Sequence, residues 1–427
     1  MAEGNRVIRG ISELYTPFER FENAAMVVGQ PAATTTTGPR TAGSGTAANG
    51  IDEVEVGEQV VWVGPERELP PEHKGLPGLN LGGRGVLPGF VDSHNHLIWA
   101  GSRVEEFVRR SAGADYEDIL AAGGGIMATV RDTRAASEAR LTAVARRRVG
   151  AFLRGGVTTL EIKSGYGLDT ENELKMLRVA RRLQSEGPQR VTTTLLAHVP
   201  DPDVDRDAYV ERFVSETIPE AARLRLADTV DVFCDRQAFD LPEARRILEA
   251  GLAAGLQITA HAEQLSHTGV ALLIAELHGL SADHLEQATA EDFAALAAAG
   301  AVATILPGAA VGLGLPLPPA SLTRPSGVRV AIASDHNPGS SPHYGLLPSM
   351  QLATALGGYT VEEALIGASA HAADALGQPT WGRLAPGSPA DYLVVDGPAA
   401  MLPLYSWGHS RLHEMVIGGH SVWRRDG

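Results

Sequence analysis

GVLPGFVDSHNH, residues 85–96, begins the pattern that decides the fold, because an apolar segment of strand type runs directly into polar residues. Similar segments recur as far as residue 335 and alternate with helical stretches such as ENELKMLRVARRLQ, residues 171–184. Strands that alternate with helices predict a parallel sheet with helical crossovers. About eight such units over roughly 300 residues match an α/β fold of the (β/α)8 TIM-barrel type better than a doubly wound sheet. The further segments are GVTTLEIKSG, VTTTLLAH, TVDVFC, LQITAHAE, VATILPG and VRVAIASD.

Short segments of β type occur near both ends of the chain, namely VEVGEQVVWVG, ADYLVVD and HEMVIGGHSVW. A chain of 427 residues exceeds the roughly 250–300 residues of one hydrophobic core, so a second, smaller domain is expected. We predict a small β-sandwich domain built from residues 1–84 and 385–427, and a barrel domain at 85–384. The Thr-, Ala- and Gly-rich stretch 30–50 has no periodicity, which predicts a flexible loop.

Composition indicates a globular protein that acts on a small molecule. Hydrophobic residues make up 44% of the chain, and no apolar run approaches the roughly 18 residues of a bilayer span, so no membrane role is expected. The N-terminal residues lack an apolar signal segment, which predicts a cytoplasmic location. A net charge of -15 argues against nucleic-acid binding. The single cysteine, Cys234, lies in an apolar run and is interpreted as core packing.

Metal-binding residue types stand at the ends of several apolar segments. His94 and His96 flank one residue, and the alternation of side chains along a strand points both rings to the same face. His261, His284 and Asp335 end further segments. Each alone could be a half-buried histidine or a helix cap. Jointly, nitrogen donors with a carboxylate favour a divalent ion of the zinc or iron class, with an open position for water.

Such an ion predicts hydrolysis. Metal binding lowers the pKa of water to roughly 7, which makes a nucleophile available near neutral pH. Asp335 could both contact the ion and accept the proton of the water. His284 could polarise a carbonyl group or pass a proton to the leaving nitrogen.

Several longer motifs, spread over roughly residues 85–395, resemble the imidazolonepropionases, a family of amidohydrolases. They are PGFVDSHNHLIWAGSR, ILAAGGGIMATVRDTRAASE, GVTTLEIKSGYGLDTENELKMLRVARRL, TAHAEQLS, SADHLE, ILPGAA and ASDHNPGSSP. The resemblance implies one divalent metal ion, zinc or iron, with His94, His96, His261 and Asp335 as its ligands. It also implies hydrolysis of the ring C–N bond of 4-imidazolone-5-propanoate, an intermediate of histidine degradation, to N-formimidoyl-L-glutamate.

The same resemblance implies substrate contacts. Arg103 matches the family arginine, and its planar fork suits the carboxylate tail of the substrate, although the position would otherwise be interpreted equally well as a surface salt bridge. Gln264 can orient water or a ring nitrogen but cannot accept a proton, so the role of base shifts toward Asp335. The resemblance assigns contacts with substrate or product to Tyr166, His198, Gln264, Asn337, Gly339 and Ser340.

Some alternatives stay open at this point. Lys163 could be compared with the carboxylated lysine of two-metal amidohydrolases, although the resemblance implies one metal. His336 beside Asp335, and Val-Pro after His198, could change the choice of substrate, and His336 could compete as a ligand. Another cyclic amidohydrolase, a deaminase of the same superfamily and a non-catalytic metal-binding protein are the other functions considered. A homodimer is expected.

Overall fold

The computed structural model describes residues 4–30, 57–113, 124–236 and 238–425. The predicted flexible loop therefore lies, except for its first residue, outside the described residues. The chain divides into two compact units. The larger comprises Gly89–Gly382 and Pro403–Ser410, and the smaller comprises Met1–Pro88, Arg383–Leu402 and Arg411–Gly427.

Eight parallel strands form the centre of the larger unit, and each pairs with the next one along the chain. This confirms the predicted α/β barrel. Cys234, directly after the fourth of these strands, is buried, as its apolar surroundings in the sequence predict. The strands are β5 (Phe90–Asp92), β6 (Val157–Lys163), β7 (Arg190–Ala197), β8 (Thr229–Phe233), β9 (Gln257–Ala262), β10 (Ser281–His284), β11 (Val302–Ile305) and β12 (Arg329–Ile332).

The first and last barrel strands meet through the residues that follow them rather than through a regular ladder. The backbone N–H of Asp335 donates to the carbonyl oxygen of His94 at 2.9 Å. The buried carboxylate of Asp92 accepts hydrogen bonds from the backbone N–H of Ser334 at 2.9 Å and from its hydroxyl at 2.6 Å. Burial raises the pKa of Asp92 to about 7 although these bonds oppose the shift. These hydrogen bonds thus hold the segments after β5 and β12 side by side.

Helices connect the strands and carry the expected capping residues. Asp169 caps the helix Thr170–Glu186 by accepting a hydrogen bond from the backbone N–H of Asn172. No helix in the described parts of the chain has the length and apolarity of a bilayer crossing. The α-helices are Val104–Ser111, Ile126–Ala135, Glu138–Arg154, Thr170–Glu186, Arg206–Arg212, Ile218–Arg223, Leu241–Ala253, Val270–Glu276, Ala290–Ala299, Pro307–Leu313, Ala320–Thr323, Leu347–Leu356, Val361–Gly367, Ala370–Ala375 and Leu402–Tyr405.

The smaller unit contains strands from both ends of the chain, as the sequence predicts. They form one mixed sheet in the order β15-β14-β13-β4-β1-β2-β3. Strand β1 pairs antiparallel with β2 and parallel with β4, and apolar residues such as Ile8 and Val27 are buried in two separate clusters of this unit. The strands are β1 (Arg6–Tyr15), β2 (Arg20–Gly29), β3 (Gln59–Pro65), β4 (Gly78–Pro88), β13 (Tyr392–Val395), β14 (Leu412–Ile417) and β15 (His420–Arg424).

Candidate metal and active site

Three histidines and an aspartate converge at the carboxyl ends of the barrel strands. The Nε2 atom of His96 lies 3.3 Å from Oδ1 of Asp335 and 3.3 Å from Nε2 of His261. Nε2 of His94 lies 3.6 Å from the same Asp335 oxygen. Ligand atoms about 2.1 Å from a tetrahedral ion lie about 3.4 Å from one another. Each of these three separations is therefore close to the distance between two ligands of one divalent ion.

Two atoms of this cluster, Nε2 of His94 and Oδ1 of Asp335, have no hydrogen-bond partner among the described residues. Both side chains are buried, where polar atoms are normally satisfied. Burial lowers the pKa of His94 well below its ordinary value. Burial raises the pKa of Asp335, but the neighbouring histidines, His96 above all, outweigh it and bring that pKa to about 2. A neutral imidazole and an ionised carboxylate are the forms that bind a cation, so the donor set fits the expected metal.

Carboxylates hold the outer ring nitrogens of two of these histidines. Nδ1 of His94 lies 2.6 Å from Oδ2 of Asp283, and Nδ1 of His261 lies 3.1 Å from Oδ1 of Asp231. With its proton on Nδ1, each ring turns the lone pair of Nε2 toward the cluster. Neither aspartate is among the residues predicted from the sequence. Asp231 interrupts the apolar strand TVDVF, and an acid within such a run was the available signal.

Lys163 lies behind the cluster, at the end of β6, and is surrounded by acids. Its Nζ lies 2.7 Å from Oδ2 of Asp231 and 2.9 Å from Oε1 of Glu161. Burial lowers the pKa of Lys163, but the carboxylates outweigh it and the net shift is upward. A carboxylated lysine would be anionic and would meet these carboxylates at repulsive distances. The geometry therefore disfavours the two-metal alternative.

His284 lies beside the ligand histidines, with its ring centroid 5.2 Å from that of His261. Its backbone has φ 82, a left-handed conformation that is uncommon outside glycine and clusters at functional sites. Its Nδ1 lies 3.5 Å from Oε1 of Glu286, a side chain that is fully buried. Burial lowers the pKa of His284, but Glu286 outweighs it and the net shift is upward. His284 is therefore a histidine of this site that can hold a proton. Glu286 is not among the residues predicted from the sequence.

A cavity of about 570 Å³ opens beside the cluster. Every substrate-contacting residue that the resemblance assigns lines this cavity, and so does His284. His94 does not line it. Further lining residues that carry charge or a large apolar side chain were not predicted from the sequence, namely Glu106, Arg110, Ile126, Met127, Phe233, Leu265 and Leu313.

Arg103 is held by an acidic neighbour within this cavity. Its Nε and Nη2 atoms each lie 2.5 Å from a carboxylate oxygen of Glu106, so the two side chains form a bidentate ion pair. A Cβ atom added at Gly339 would lie 3.5 Å from Nη1 and 3.7 Å from Nη2. Glu106 thus occupies the side edge of the guanidinium, which is formed by Nε and Nη2. The end edge, which is formed by Nη1 and Nη2, faces the loop at Gly339. Arg110 adds a second cation here and donates from Nη2 to the carbonyl oxygen of Gly339 at 3.2 Å.

Tyr166 and His198 form the wall next to the metal cluster. The ring of His198 stacks on that of His96, with centroids 5.3 Å apart, and Tyr166 lies 5.4 Å from His198. Nδ1 of His198 lies 3.2 Å from the carbonyl oxygen of Gly165, and burial lowers the pKa of His198 well below its ordinary value. The neutral ring therefore donates from Nδ1 and keeps Nε2 as an acceptor. Burial raises the pKa of Tyr166, so its phenol stays protonated.

The loop after Asp335 is stabilised largely by its own hydrogen bonds. Oδ1 of Asn337 accepts from the backbone N–H groups of Gly339 and Ser340, each at 2.8 Å. Nδ2 of Asn337 donates to the carbonyl oxygen of Asp335 at 2.7 Å. The donors that the resemblance assigns to a ligand are thus engaged within the loop in this structure.

His336 turns away from the metal cluster. Its Nδ1 lies 2.8 Å from the carbonyl oxygen of His343, and its ring packs against Trp99, Phe152 and Tyr344, with centroids 4.6–5.2 Å away. Burial lowers the pKa of His336 to about 3. The side chain is therefore an aromatic packing element and does not compete with Asp335 for the ion.

Solved structures share the fold over nearly the whole chain. The 5-methylcytosine deaminase from Klebsiella pneumoniae covers 99% of this chain and 98% of its own, with a TM-score of 0.71 and 14% identity. An adenosine deaminase from Xanthomonas campestris, solved with bound zinc, covers 97% of this chain and 92% of its own, with a TM-score of 0.66 and 15% identity. At these identities the likeness concerns the fold.

Sequence relatives identify the family to which the chain belongs. The model of the amidohydrolase family matches residues 86–422. The imidazolonepropionase of Cupriavidus pinatubonensis is 46% identical over 350 residues, which cover 80% of this chain and 83% of the relative. That of Roseobacter denitrificans is 44% identical over 367 residues, 85% of this chain and 92% of the relative. That of Deinococcus radiodurans is 44% identical over 363 residues, 85% and 90% of the two chains. The chain therefore belongs to the amidohydrolase family and, within it, to the imidazolonepropionases.

Proposed function

We propose that the protein opens the ring of 4-imidazolone-5-propanoate by hydrolysis of its lactam C–N bond and releases N-formimidoyl-L-glutamate in histidine degradation. The observation that carries this proposal is the cavity that is lined both by His96, His261 and Asp335 of the metal cluster and by Arg103. The cluster suits hydrolysis, and the arginine suits the carboxylate tail of the substrate. The names of the sequence relatives support the same reaction.

We infer that His94, His96, His261 and Asp335 hold one divalent cation, zinc or iron. The amidohydrolase family is metal-dependent, and two observations support the inference. Ligand atoms of His94, His96 and Asp335 lie within 4.8 Å of one another, and Nε2 of His261 lies 3.3 Å from Nε2 of His96. A bound cation of this kind lowers the pKa of water and polarises the carbonyl group under attack. Nitrogen-rich donors suit both metals, so cellular supply contributes to the choice between them.

The side chains around the cluster divide the proton transfers between them. Asp335 is ionised and can accept a proton from the attacking water, whereas the amide of Gln264 can only orient it. His284 holds a proton with the help of Glu286 and can donate it to the ring nitrogen as the C–N bond breaks. Transfer of the proton from Asp335 to His284 would return both groups to their starting states.

Substrate orientation follows from the fixed donors and acceptors of the cavity. The end edge of the Arg103 guanidinium can bind the propanoate carboxylate by two parallel hydrogen bonds. Arg110 adds positive charge at the same end of the cavity. The Nε2 atom of His198 can accept from a ring N–H, and the hydroxyl of Tyr166 can donate to the ring carbonyl. The tail and the ring would thus be held at opposite ends of the cavity.

The test is an assay of the purified protein with 4-imidazolone-5-propanoate that follows the loss of ring absorbance and, in parallel, the release of ammonia. We expect ring opening without stoichiometric ammonia. Release of ammonia would indicate a deaminase of the same superfamily, and no turnover in the presence of zinc or iron would refute the proposed substrate. The homodimer and the cytoplasmic location stay predictions from the sequence.

A further inference from the structure

The reaction proposed above gives no role to the ammonium group of Lys163, which is buried beside the metal cluster. Its side chain is 1% exposed, and it contacts three carboxylates that are themselves buried. Nζ lies 2.7 Å from Oδ2 of Asp231, 2.9 Å from Oε1 of Glu161 and 3.9 Å from Oδ2 of Asp283. Buried charges require partners because an isolated one is strongly disfavoured. Lys163 is thus the shared cation of this carboxylate group.

Two of these carboxylates are the ones that hold metal-site histidines. Asp283 presents one oxygen, Oδ2, both to Lys163 and to Nδ1 of His94. Asp231 presents Oδ2 to Lys163, and Nδ1 of His261 lies 3.0 Å from that oxygen and 3.1 Å from Oδ1. For each of these two histidines, a single carboxylate therefore contacts both Lys163 and the Nδ1 atom of the ring.

The lysine also accounts for how two acids can lie together in the barrel interior. Oxygen atoms of Asp231 and Asp283 and a ring nitrogen of His94 lie within 4.8 Å of one another. Without a cation, the two carboxylates would repel each other and release the rings that they orient. The ammonium group supplies that cation, so this trio needs no second metal ion.

The backbone links the same lysine to the His-x-His segment. The N–H of Lys163 donates to the carbonyl oxygen of Asn95 at 3.0 Å. Glu161, two residues earlier on β6, accepts from the N–H of Asn95 at 3.1 Å. Asn95 stands between the two histidines, so β6 fixes the segment that carries them.

We propose that Lys163 is a positioning residue of the metal site. It holds Asp231 and Asp283 in place, and these carboxylates fix which ring nitrogen two of the ligand histidines present to the ion. The proposal rests on the function proposed above, because it assumes that His94 and His261 bind the metal. Outer partners of this kind change metal affinity by roughly 10–100-fold when they are removed.

The experiment compares Lys163→Met with Lys175→Met in the full-length protein. Lys175 is the matched control because its ammonium is partly buried and, like that of Lys163, contacts oxygen atoms, such as the carbonyl of Arg134, but it contacts no residue of the metal cluster. Zinc affinity is measured by competition with a chelator, and the visible absorption of the Co2+-loaded protein reports ligand geometry. We expect Lys163→Met to bind zinc roughly 10–100-fold more weakly and to change the Co2+ spectrum. Lys175→Met should match wild type in both.

The outcomes are distinguishable. A folded Lys163→Met protein with wild-type zinc affinity and Co2+ spectrum would overturn the proposal alone. A wild-type protein that binds no divalent metal would overturn the proposed function as well. If Lys163→Met does not fold, Lys163→Gln replaces it, because the amide removes the positive charge but can still donate hydrogen bonds to the carboxylates. Its zinc affinity should also fall by roughly 10–100-fold, and wild-type affinity would overturn the proposal.

Discussion

The ion pair of Arg103 and Glu106 predicts how the protein should respond to the loss of its carboxylate-binding group. We expect Arg103→Met to raise KM for 4-imidazolone-5-propanoate while kcat changes little, because the tail does not change during ring opening. Hydrogen bonds to charged groups contribute about 1.5–3 kcal/mol each, so two of them at the lower figure give a factor of roughly 100 in KM. Methionine keeps most of the apolar stem of the side chain and removes the guanidinium.

The substitution also leaves Glu106 without the guanidinium that lies 2.5 Å away. Its carboxylate then faces the substrate carboxylate, and like charges at this end of the cavity repel each other. Adding Glu106→Gln to Arg103→Met should therefore lower the raised KM roughly tenfold, which corresponds to about 1.4 kcal/mol. Glu106→Gln alone should weaken binding, because it loosens the guanidinium that Glu106 orients.

Steady-state kinetics of the four proteins, followed through ring absorbance, measure these effects. A substrate analogue with an amide in place of the carboxylate is the matched control. Wild type should bind it poorly, and Arg103→Met should leave its KM unchanged. The reasoning would be refuted if Arg103→Met lowered kcat at constant KM. It would also be refuted if the substitution raised KM equally for the carboxylate substrate and for its amide analogue.

Three further predictions concern the metal cluster and its proton donor. Asp335→Asn should lower kcat by roughly 100-fold or more while the circular dichroism spectrum stays that of the folded protein, and a wild-type rate would contradict the proposed site. Glu286→Gln should move the alkaline limb of the kcat–pH profile to lower pH. Glu286 raises the pKa of His284, so the proton is lost earlier without it, and an unmoved limb would argue against His284 as the donor. Chelation should abolish turnover and lower the melting temperature, because an ion bound only by the folded state stabilises it, and added zinc should restore both. A chelated protein that keeps full activity would rule out a metal-dependent reaction.

The sequence by itself determined the barrel and the end of it at which the chemistry lies. Apolar segments alternate with helical ones, and polar residues follow the apolar segments directly, as DSHNH follows GVLPGFV. The carboxyl ends of parallel strands meet at one end of a barrel, so this pattern alone predicts that His94, His261 and Asp335 lie together. The structure confirms the barrel and brings these side chains into one cluster, whereas their role as ligands stays a prediction. The composite β unit could be predicted too, because its strand segments stand at both ends of the chain.

Only the tertiary structure decided which side chains contact the predicted residues of the metal cluster and the cavity. Strand periodicity gives the face on which a side chain lies, but the register between strands and the choice of rotamer depend on packing across the whole barrel. That is why the carboxylates on the ligand histidines, and Lys163 between them, could not be read from the sequence. It is also why the fork of Arg103 proved to be held by Glu106, and why His336, next to a metal-cluster residue along the chain, turns into an aromatic shell. Neighbours in sequence share a strand, whereas the groups that orient a catalytic side chain come from other strands, so their pairing exists only once the barrel has closed.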